Sequence, residues 1–446
     1  MAATYLTRTN SGAGSETTST FSVWFKRLST TGTQYLLHTS EDANNKLTIS
    51  FNGSFNVIGT NNSSTVMNLT PTRVFRDIAS WYHLVVVFDT TQATEADRVK
   101  LYINGVQETS FSTATYPSQN LNLKLNQSGD RRTVGTAYDK GGSPSAAYWD
   151  GSMTHVNFID GTAYPASTFG EVDSTSGIWK PNTSPSVTYG TNGFFLKMEN
   201  ASAMGTDSSG NSNTFTVSGS LTKNQDTPNN NFATMNPLDN YYSAATFSNG
   251  NNTVATAAAP VNWVASTFQV NKGKWYAECK PTAGTGSALV GFAGSTSKNS
   301  TQILETAGFF GGNYVNNGEY FFNGSGGAYA SSFANGDIIS VYLDLDNNFV
   351  YFAKNGVLQN SGVPTSGATG TGGKAITAAA LTTNGGYAFA CGDGNTATRT
   401  FDWNFGNGYF GTTAVSSAGT NASGIGIFEY DVPTGYTALS TKGLNL

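Results

Sequence analysis

The chain has 446 residues, of which 11% are charged and 13% aromatic, with 23 Lys and Arg against 28 Asp and Glu for a net charge of −5. Without a basic run there is no electrostatic footprint for a phosphate backbone, which excludes nucleic acid as an expected partner, and a chain this aromatic with so little net charge is not a disordered one. The longest apolar run, LVVVF from Leu84, is far too short to span a bilayer, so no membrane insertion is expected.

At about 150 residues per domain the length predicts two or three domains, and since all-β domains run large, two are expected. Gly contributes 51 residues, about 11% against an average of about 7%, and solubility must come from Asn, Ser and Thr rather than from charge. These are turn-forming residues, so the composition predicts extended sheets joined by many turns. The opening MAATYLTRTNSGAG has neither a charged nor an apolar leader segment, which predicts a soluble protein starting near Met1. Cys279 and Cys391 fall in separate apolar stretches and are expected to be free, buried thiols.

Period-two runs bounded by turn residues recur along the chain. The first half predicts strands at FSVWFKR, QYLLHT, KLTISFNG, WYHLVVVFD, VKLYING, LNLKLN and MTHVNFID. LVVVF is continuously apolar, as a strand covered on both faces is, while KLTISFNG alternates as a half-exposed strand does. Two sheets packed face to face require both kinds. From about Tyr164 to Asp239 the texture changes, with one clear strand in GFFLKME from Gly193, and LTKNQDTPNNNFATMNPLDN reads as the interdomain passage.

The second half resumes with KWYAECKP, ALVGFAG, EYFFNG, DIISVYLDLD, FVYFAKNG, YAFACG and FDWNFG. RVKLYINGVQ from Arg98 and NNFVYFAKNGVLQ from Asn347 share one pattern, a hydrophobic alternation that turns through Asn-Gly. Asn104-Gly105 and Asn355-Gly356 suit the positive φ of a type I′ turn, with Tyr102 and Phe352 packed on a sheet face before it. TSGATGTGGK from Thr365 ends in Gly-Lys but has Ala368 and Ala375 where a phosphate-binding loop needs Gly and Ser or Thr, so a long, flexible loop is expected.

In the first half, Trp81, Tyr82 and His83 opening an apolar strand, then LYINGV, then WDGSMTHVNFIDGTAY, resemble the laminin-G-like, concanavalin A-like jelly rolls over roughly residues 1 to 200. In the second, GKWYAE, VGFAG, NGDIISVYLDLDNNFVYFAKNGV and WNFG follow the order seen in SPRY domains. The connecting stretches STFGEVDSTSGIWKPN, YGTNGFFLKME, GTDSSGNSNTFTV and NNFATMNPLDN, with the closing FEYDVPTGYTALSTKGLNL, resemble large virion proteins of tailed bacteriophages that pair these two modules. The expected architecture is therefore all-β, with two antiparallel jelly-roll sandwiches: residues 1–222, a linker over 223–240, and residues 241–446.

Concanavalin A-like glucanases carry carboxylates as E-x-D-x-x-E, because an acid and a nucleophile must flank one glycosidic bond. Glu171 and Asp173 begin such a string but meet Ser176, and Glu95 and Asp97 begin another but meet Lys100. No enzyme activity is expected. His38, His83 and His155 lack zinc-site spacing and are expected in the core or at the rim. No cofactor is implied beyond calcium, whose oxygen ligands are plentiful and which related jelly rolls hold; Asp42 in SEDANN and Asp207 in GTDSSGNSN are its candidates, and tight turns explain both equally well. Saccharide sites combine an aromatic platform with amides and carboxylates, a makeup found at Tyr138 and Asp139 in TAYDKGG and at Tyr314 and Tyr320 in GGNYVNNGEYFFNG.

The resemblance implies a virion protein on the outer surface of a phage particle, a tail fibre or appendage component that binds a host cell-surface glycan or protein. Other virion proteins are expected partners, and the virion setting implies a homo-oligomer such as a trimer. The alternatives are a structural or decorating component of head, neck or tail, and a polysaccharide depolymerase.

Overall fold

A computed structural model describes residues 4–446 apart from 125, 175–176, 241–244, 259–261, 295–306, 309, 381–384 and 395–397. Among the described residues there is no α-helix, only strands and four one-turn 3-10 segments. The chain divides into two compact units, Met1–Lys223 and Asn224–Leu446.

In the first unit a six-stranded sheet runs in the order Phe194–Leu196, Gly151–Asp160, Thr18–Arg27, Tyr82–Asp89, Val99–Ile103, Val106–Gln107. An eight-stranded sheet runs Phe111–Thr115, Ser64–Pro71, Ser54–Asn61, Lys46–Asn52, Thr33–Ser40, Arg131–Val134, Tyr5–Thr9, Thr216–Ser218. Both are antiparallel, and their inner faces form one core, with Phe21, Val23, Phe25, Leu84, Val86 and Phe88 from the first sheet and Leu47, Ile49, Phe51, Val57 and Leu69 from the second. Burying such side chains contributes about 1.5–3 kcal/mol each. Tyr82–Asp89 is covered on both faces, as its unbroken apolar run requires. Val85 and Val87 face outward and pack with Ile159, Ala166 and Phe169, so the loop-rich segment after residue 160 serves as a cover on that sheet. LNLKLN forms no strand in its described part. Leu123 enters the core, but its N–H bonds Glu16 O outside any ladder.

In the second unit one sheet runs Met235–Asn240, Asn262–Ser266, Tyr387–Asp393, Leu289–Gly294, Gly312–Val315, Glu319–Phe322, Ser325–Ala328. The other runs Thr246–Ser248, Thr253–Ala255, Arg399–Asn404, Lys274–Gly284, Ile339–Asp344, Phe349–Lys354, Val357–Leu358, and Thr437–Ala438 joins it in parallel beside Trp275–Tyr276. Their shared core includes Val264, Val290, Phe292, Val341, Phe352, Phe389 and Trp403, with the free thiols Cys279 and Cys391 buried in it. Burial raises both thiols, Cys391 to about 12, so they sit there as protonated apolar groups. On the outer face of the second sheet, Phe428, Val432 and Tyr436 from the C-terminal segment pack against Tyr276, Tyr342 and Tyr351 in a smaller core.

Of the passage 223–240, expected as a linker, residues from Asn224 onward are built into the second unit. Its asparagines conceal the run Phe232–Met235, all buried, with Ala233 N–H bonded to Leu439 O and Met235 N–H to Asn251 O. The Gly-rich loop after Thr365 is likewise folded rather than free. Thr371 N–H bonds Ser366 Oγ, and Gly370 and Gly373 lie so close to the rings of Phe349 and Tyr351 that a Cβ would overlap them.

The two Asn-Gly hairpins are the same device. φ is 50° and 80° at Asn104 and Gly105, and 48° and 77° at Asn355 and Gly356, the left-handed values a type I′ turn needs. Asn104 Oδ1 accepts the His83 N–H at 2.8 Å while its own N–H bonds His83 O at 2.9 Å. Asn355 makes the same two bonds to Ile338, both at 2.8 Å. Each asparagine therefore ties its turn to the start of the preceding strand. Counted from the turn, Leu101 and Phe352 are equivalent and both fill cores, whereas Tyr102 packs on the outer face of its sheet.

Candidate functional site

Alternation sorts Lys46–Asn52 into two faces. Leu47, Ile49 and Phe51 enter the core, and Lys46, Thr48, Ser50 and Asn52 face outward from the eight-stranded sheet. The neighbouring strands add Tyr35 and His38 on one side and Asn56, Ile58 and Thr60 on the other. Ser50 pairs with Tyr35 on one side and Asn56 on the other, Thr48 with His38 and Ile58, and Lys46 with Thr60. The loop joining Thr136–Tyr138 to Pro144–Tyr148 lines this groove with Asp139 and Ser143, and the second of these strands adds Ser145. The result is a groove of about 400 Å³ on the sheet's outer face, within the range of small-ligand sites.

A hydrogen-bond chain fixes its centre. His38, itself buried, meets Asp139 Oδ1 through Nε2 at 2.9 Å and Thr48 Oγ1 through Nδ1 at 3.1 Å. Lys46 Nζ donates to Asp139 Oδ2 at 3.2 Å. The bond from His38, and after it Lys46, hold the Asp139 carboxyl below its ordinary value against the upward push of burial, so it is an anion. An anionic acceptor requires the proton on Nε2, which leaves Nδ1 to accept a hydrogen bond from the Thr48 hydroxyl when the ring is neutral. Tyr35 is half-buried, its phenol raised by burial and by Asp139 and eased by a bond with Ser145, so it stays protonated. Asn56 Oδ1 accepts from Ser50 Oγ at 2.8 Å. The groove thus offers a half-exposed ring, a fixed anion paired with an ammonium, and a field of hydroxyls and amides.

Of the residues singled out in sequence, Asp139 is in this groove. Tyr138 stands next to it in sequence but is held elsewhere, under the Arg131 guanidinium at 3.8 Å and edge-on to Tyr5. Tyr314 and Tyr320 are not at a rim. They sit opposite each other on paired strands, 0% and 6% exposed, and pack on Phe352 in the core of the second unit, with Tyr314 OH bonded to Ser331 O. The run in which they occur is a hairpin that includes the strand expected at EYFFNG, and the two rings face inward together.

Asp42 and Asp207 are turn caps. Asp42 Oδ1 accepts the N–H groups of Asn44 and Asn45 at 2.7 and 2.9 Å, which lowers its pKa, and Asp207 accepts those of Phe195, Ser209 and Asn213 at 2.7–2.9 Å. The oxygens a cation would need are taken by backbone and side-chain donors of their own turns, and among the described residues no three His, Cys, Asp or Glu gather as a metal site. Glu171 and Asp173 both pair with Lys180, and Asp97 pairs with Lys100, so neither string presents two unneutralised acids; Ser176 lies outside the described residues. His83 is a core residue, stacked on Trp24 at 4.5 Å. Its Nδ1 accepts from Trp179 Nε1 at 3.0 Å and its Nε2 donates to Ser22 Oγ at 2.9 Å. His155 packs on Phe195.

Sequence reasoning did not single out Tyr35, His38, Lys46 or Thr48 as site residues. The available signal was the polar half of KLTISFN, since a strand with one apolar face must turn Lys, Thr, Ser and Asn to the same side.

A model of the concanavalin A-like lectin/glucanases superfamily matches residues 2–167, and the SPRY domain model matches residues 272–393. Among solved structures, the SPRY domain of human HERC1 is similar at 14% identity over 38% of this chain and 96% of its own, with a TM-score of 0.31. The native heptameric SAP-like pentraxin from Limulus polyphemus is similar at 16% identity over 43% of this chain and 88% of its own, with a TM-score of 0.29. No curated protein matches the chain. The chain therefore carries a laminin-G-type concanavalin A-like domain in its first unit and a SPRY domain in its second.

Proposed function

We propose that this protein is a non-enzymatic binding protein whose first unit takes a saccharide in the groove of the eight-stranded sheet. The observation that carries this is the groove's lining: a half-exposed Tyr35, an Asp139–Lys46 pair fixed by His38, and outward-facing Thr, Ser and Asn side chains on rigid strands. Sugar hydroxyls both donate and accept, and a carboxylate beside an ammonium serves adjacent hydroxyls in both roles. Asp139 is the one carboxylate among the lining residues, and glycoside hydrolysis uses two flanking the scissile bond, so binding fits the groove better than depolymerisation does.

The resemblance of the connecting and closing segments to tailed-phage virion proteins supports a setting on the outside of a particle, as an oligomeric tail fibre or appendage component that meets host surface glycans. A glycan array that includes host surface polysaccharides tests the binding, with Tyr35→Ala and Asp139→Ala as controls. At least one saccharide is expected to bind, with an affinity at least about tenfold lower in either variant, or about 1.4 kcal/mol. Absence of binding to any saccharide overturns the proposal. Immunogold labelling of intact particles tests the setting, and label on the head rather than the tail would favour a decorating role.

A further inference from the structure

A second groove, of about 730 Å³, lies in the second unit between residues 356–365 and the C-terminal segment 417–433. One wall is aliphatic, with Leu358, Pro364 and Val363, the last 42% exposed; Val357, 66% exposed, stands beside it at the hairpin tip. The other wall carries Glu429 and Asp431. That wall lies past residue 393, where the SPRY match ends, so it is supplied by this chain's own closing segment.

Both carboxylates are fixed by neutral donors. Glu429 accepts the Ser416 N–H at 2.8 Å and the Ser416 hydroxyl, and Asp431 Oδ1 accepts the Thr420 N–H at 2.6 Å and hydroxyl at 2.8 Å. These bonds orient the acids without neutralising them, and among the described residues no ion pair reaches either. The first unit's groove differs, because Asp139 already has Lys46. The second groove is thus negative on one side and aliphatic on the other.

Of its rings, Tyr342 is closed to a stacking sugar and Tyr430 has one face taken by the hairpin turn. Tyr342 is 4% exposed, and the Tyr430 ring is laid on the turn, so that a Cβ at Gly356 would lie 2.6 Å from Tyr430 Cδ1. Aliphatic walls with an unneutralised acidic pair fit a polypeptide side of a contact instead. We propose that this groove docks a segment of another polypeptide in which a lysine or arginine is flanked by small aliphatic residues. The cation sits between Glu429 and Asp431, and the aliphatic neighbours lie along Leu358, Val363 and Pro364. This assignment is independent of the saccharide reading of the first unit.

The test uses the full chain and a fluorescein-labelled, capped heptapeptide, Ala-Val-Ala-Lys-Ala-Val-Ala, with counterparts carrying glutamate or norleucine at the centre, followed by anisotropy. The lysine peptide is expected to bind at least tenfold more tightly than either counterpart and to weaken as salt rises. The double variant Glu429→Gln, Asp431→Asn keeps an acceptor oxygen for Ser416 and Thr420 and is expected to lose at least tenfold. Val363→Lys, at an exposed position, places a like charge at the mouth and is expected to lose as much with the fold intact. Equal binding of all three peptides, no binding up to millimolar peptide, or binding unchanged in Val363→Lys would overturn the proposal.

Discussion

In the first unit, Trp179 lies across the turn at Gly105 and gives its indole N–H to His83; in the second, Tyr430 lies across Gly356 and gives its backbone N–H to Glu278. Both units close the outer face of the hairpin sheet with a later segment that sets an aromatic ring on the turn glycine. The pin beneath differs. His83 is a neutral imidazole that burial, and after it His155, depresses to about 3. Glu278 is a buried carboxyl that receives the Glu429 and Tyr430 N–H groups, the Tyr276 hydroxyl and the Asn404 amide, yet burial outweighs those donors and raises it to about 7. The opposite sheets differ as well. That of the second unit carries a further buried cluster, Trp263, Ala265, Leu289, Ala388 and Ala390, on its other face, whereas that of the first turns a polar, open groove outward. The same sandwich plan thus leaves a polar groove on the outer face of one such sheet and a buried cluster on the other.

The largest test of this equivalence is at the core positions paired by the turn. Leu101→Ala is expected to cost about 2–5 kcal/mol and Phe352→Ala about 3–5 kcal/mol. Hydrogen exchange followed peptide by peptide should show each loss confined to its own unit, and loss spread over both would break the division into two.

The pins predict opposite responses to pH. Neutral His83, with His155 depressed to about 4, stabilises the first unit above about pH 6.5, and that stability is lost as pH falls toward 3; Asp130, raised to about 6, opposes it in part. Glu278 acts in the other direction. Its raised pKa means the second unit is favoured below about pH 4.5 and loses on the order of 3 kcal/mol at most as pH rises to about 7. Melting curves between pH 4 and 8 with Glu278→Gln should flatten the second unit's slope and leave the first unchanged.

A smaller effect is expected at the turns. Gly105→Ala and Gly356→Ala would each strain a left-handed φ and push a Cβ to 2.9 Å from Trp179 and 2.6 Å from Tyr430, for about 1–3 kcal/mol apiece. Losses equal within error would support one shared device, measured by denaturant unfolding of each unit.

Much of the architecture was legible locally. LVVVF announced a strand covered twice, KLTISFN announced a face, and Asn-Gly announced both turns, because each depends on neighbours in sequence. The third and fourth strands of the groove sheet's meander, Ser54–Asn61 and Ser64–Pro71, were hidden by Asn, Ser and Thr that read as turn text although Val57, Met67 and Leu69 alternate inward. Phe232–Met235 was hidden by its asparagine-rich flanks in the same way. The site was legible only in part. Asp139 stood out beside Tyr138, but its partners His38 and Lys46 lie 101 and 93 residues away and meet it through sheet order, which no local pattern records. Tyr314 and Tyr320 misled because an aromatic in turn-rich text looks the same whether its hairpin faces solvent or core.

The most direct test of the saccharide groove is to fill it. Thr48 faces outward between His38 and Ile58 on a rigid strand, so Thr48→Trp would occupy the floor without entering the core. Measured on the array saccharide that the unaltered chain binds best, the variant is predicted to lose binding by at least tenfold while its melting temperature holds. Undiminished binding by a folded Thr48→Trp protein would contradict the assignment of this groove.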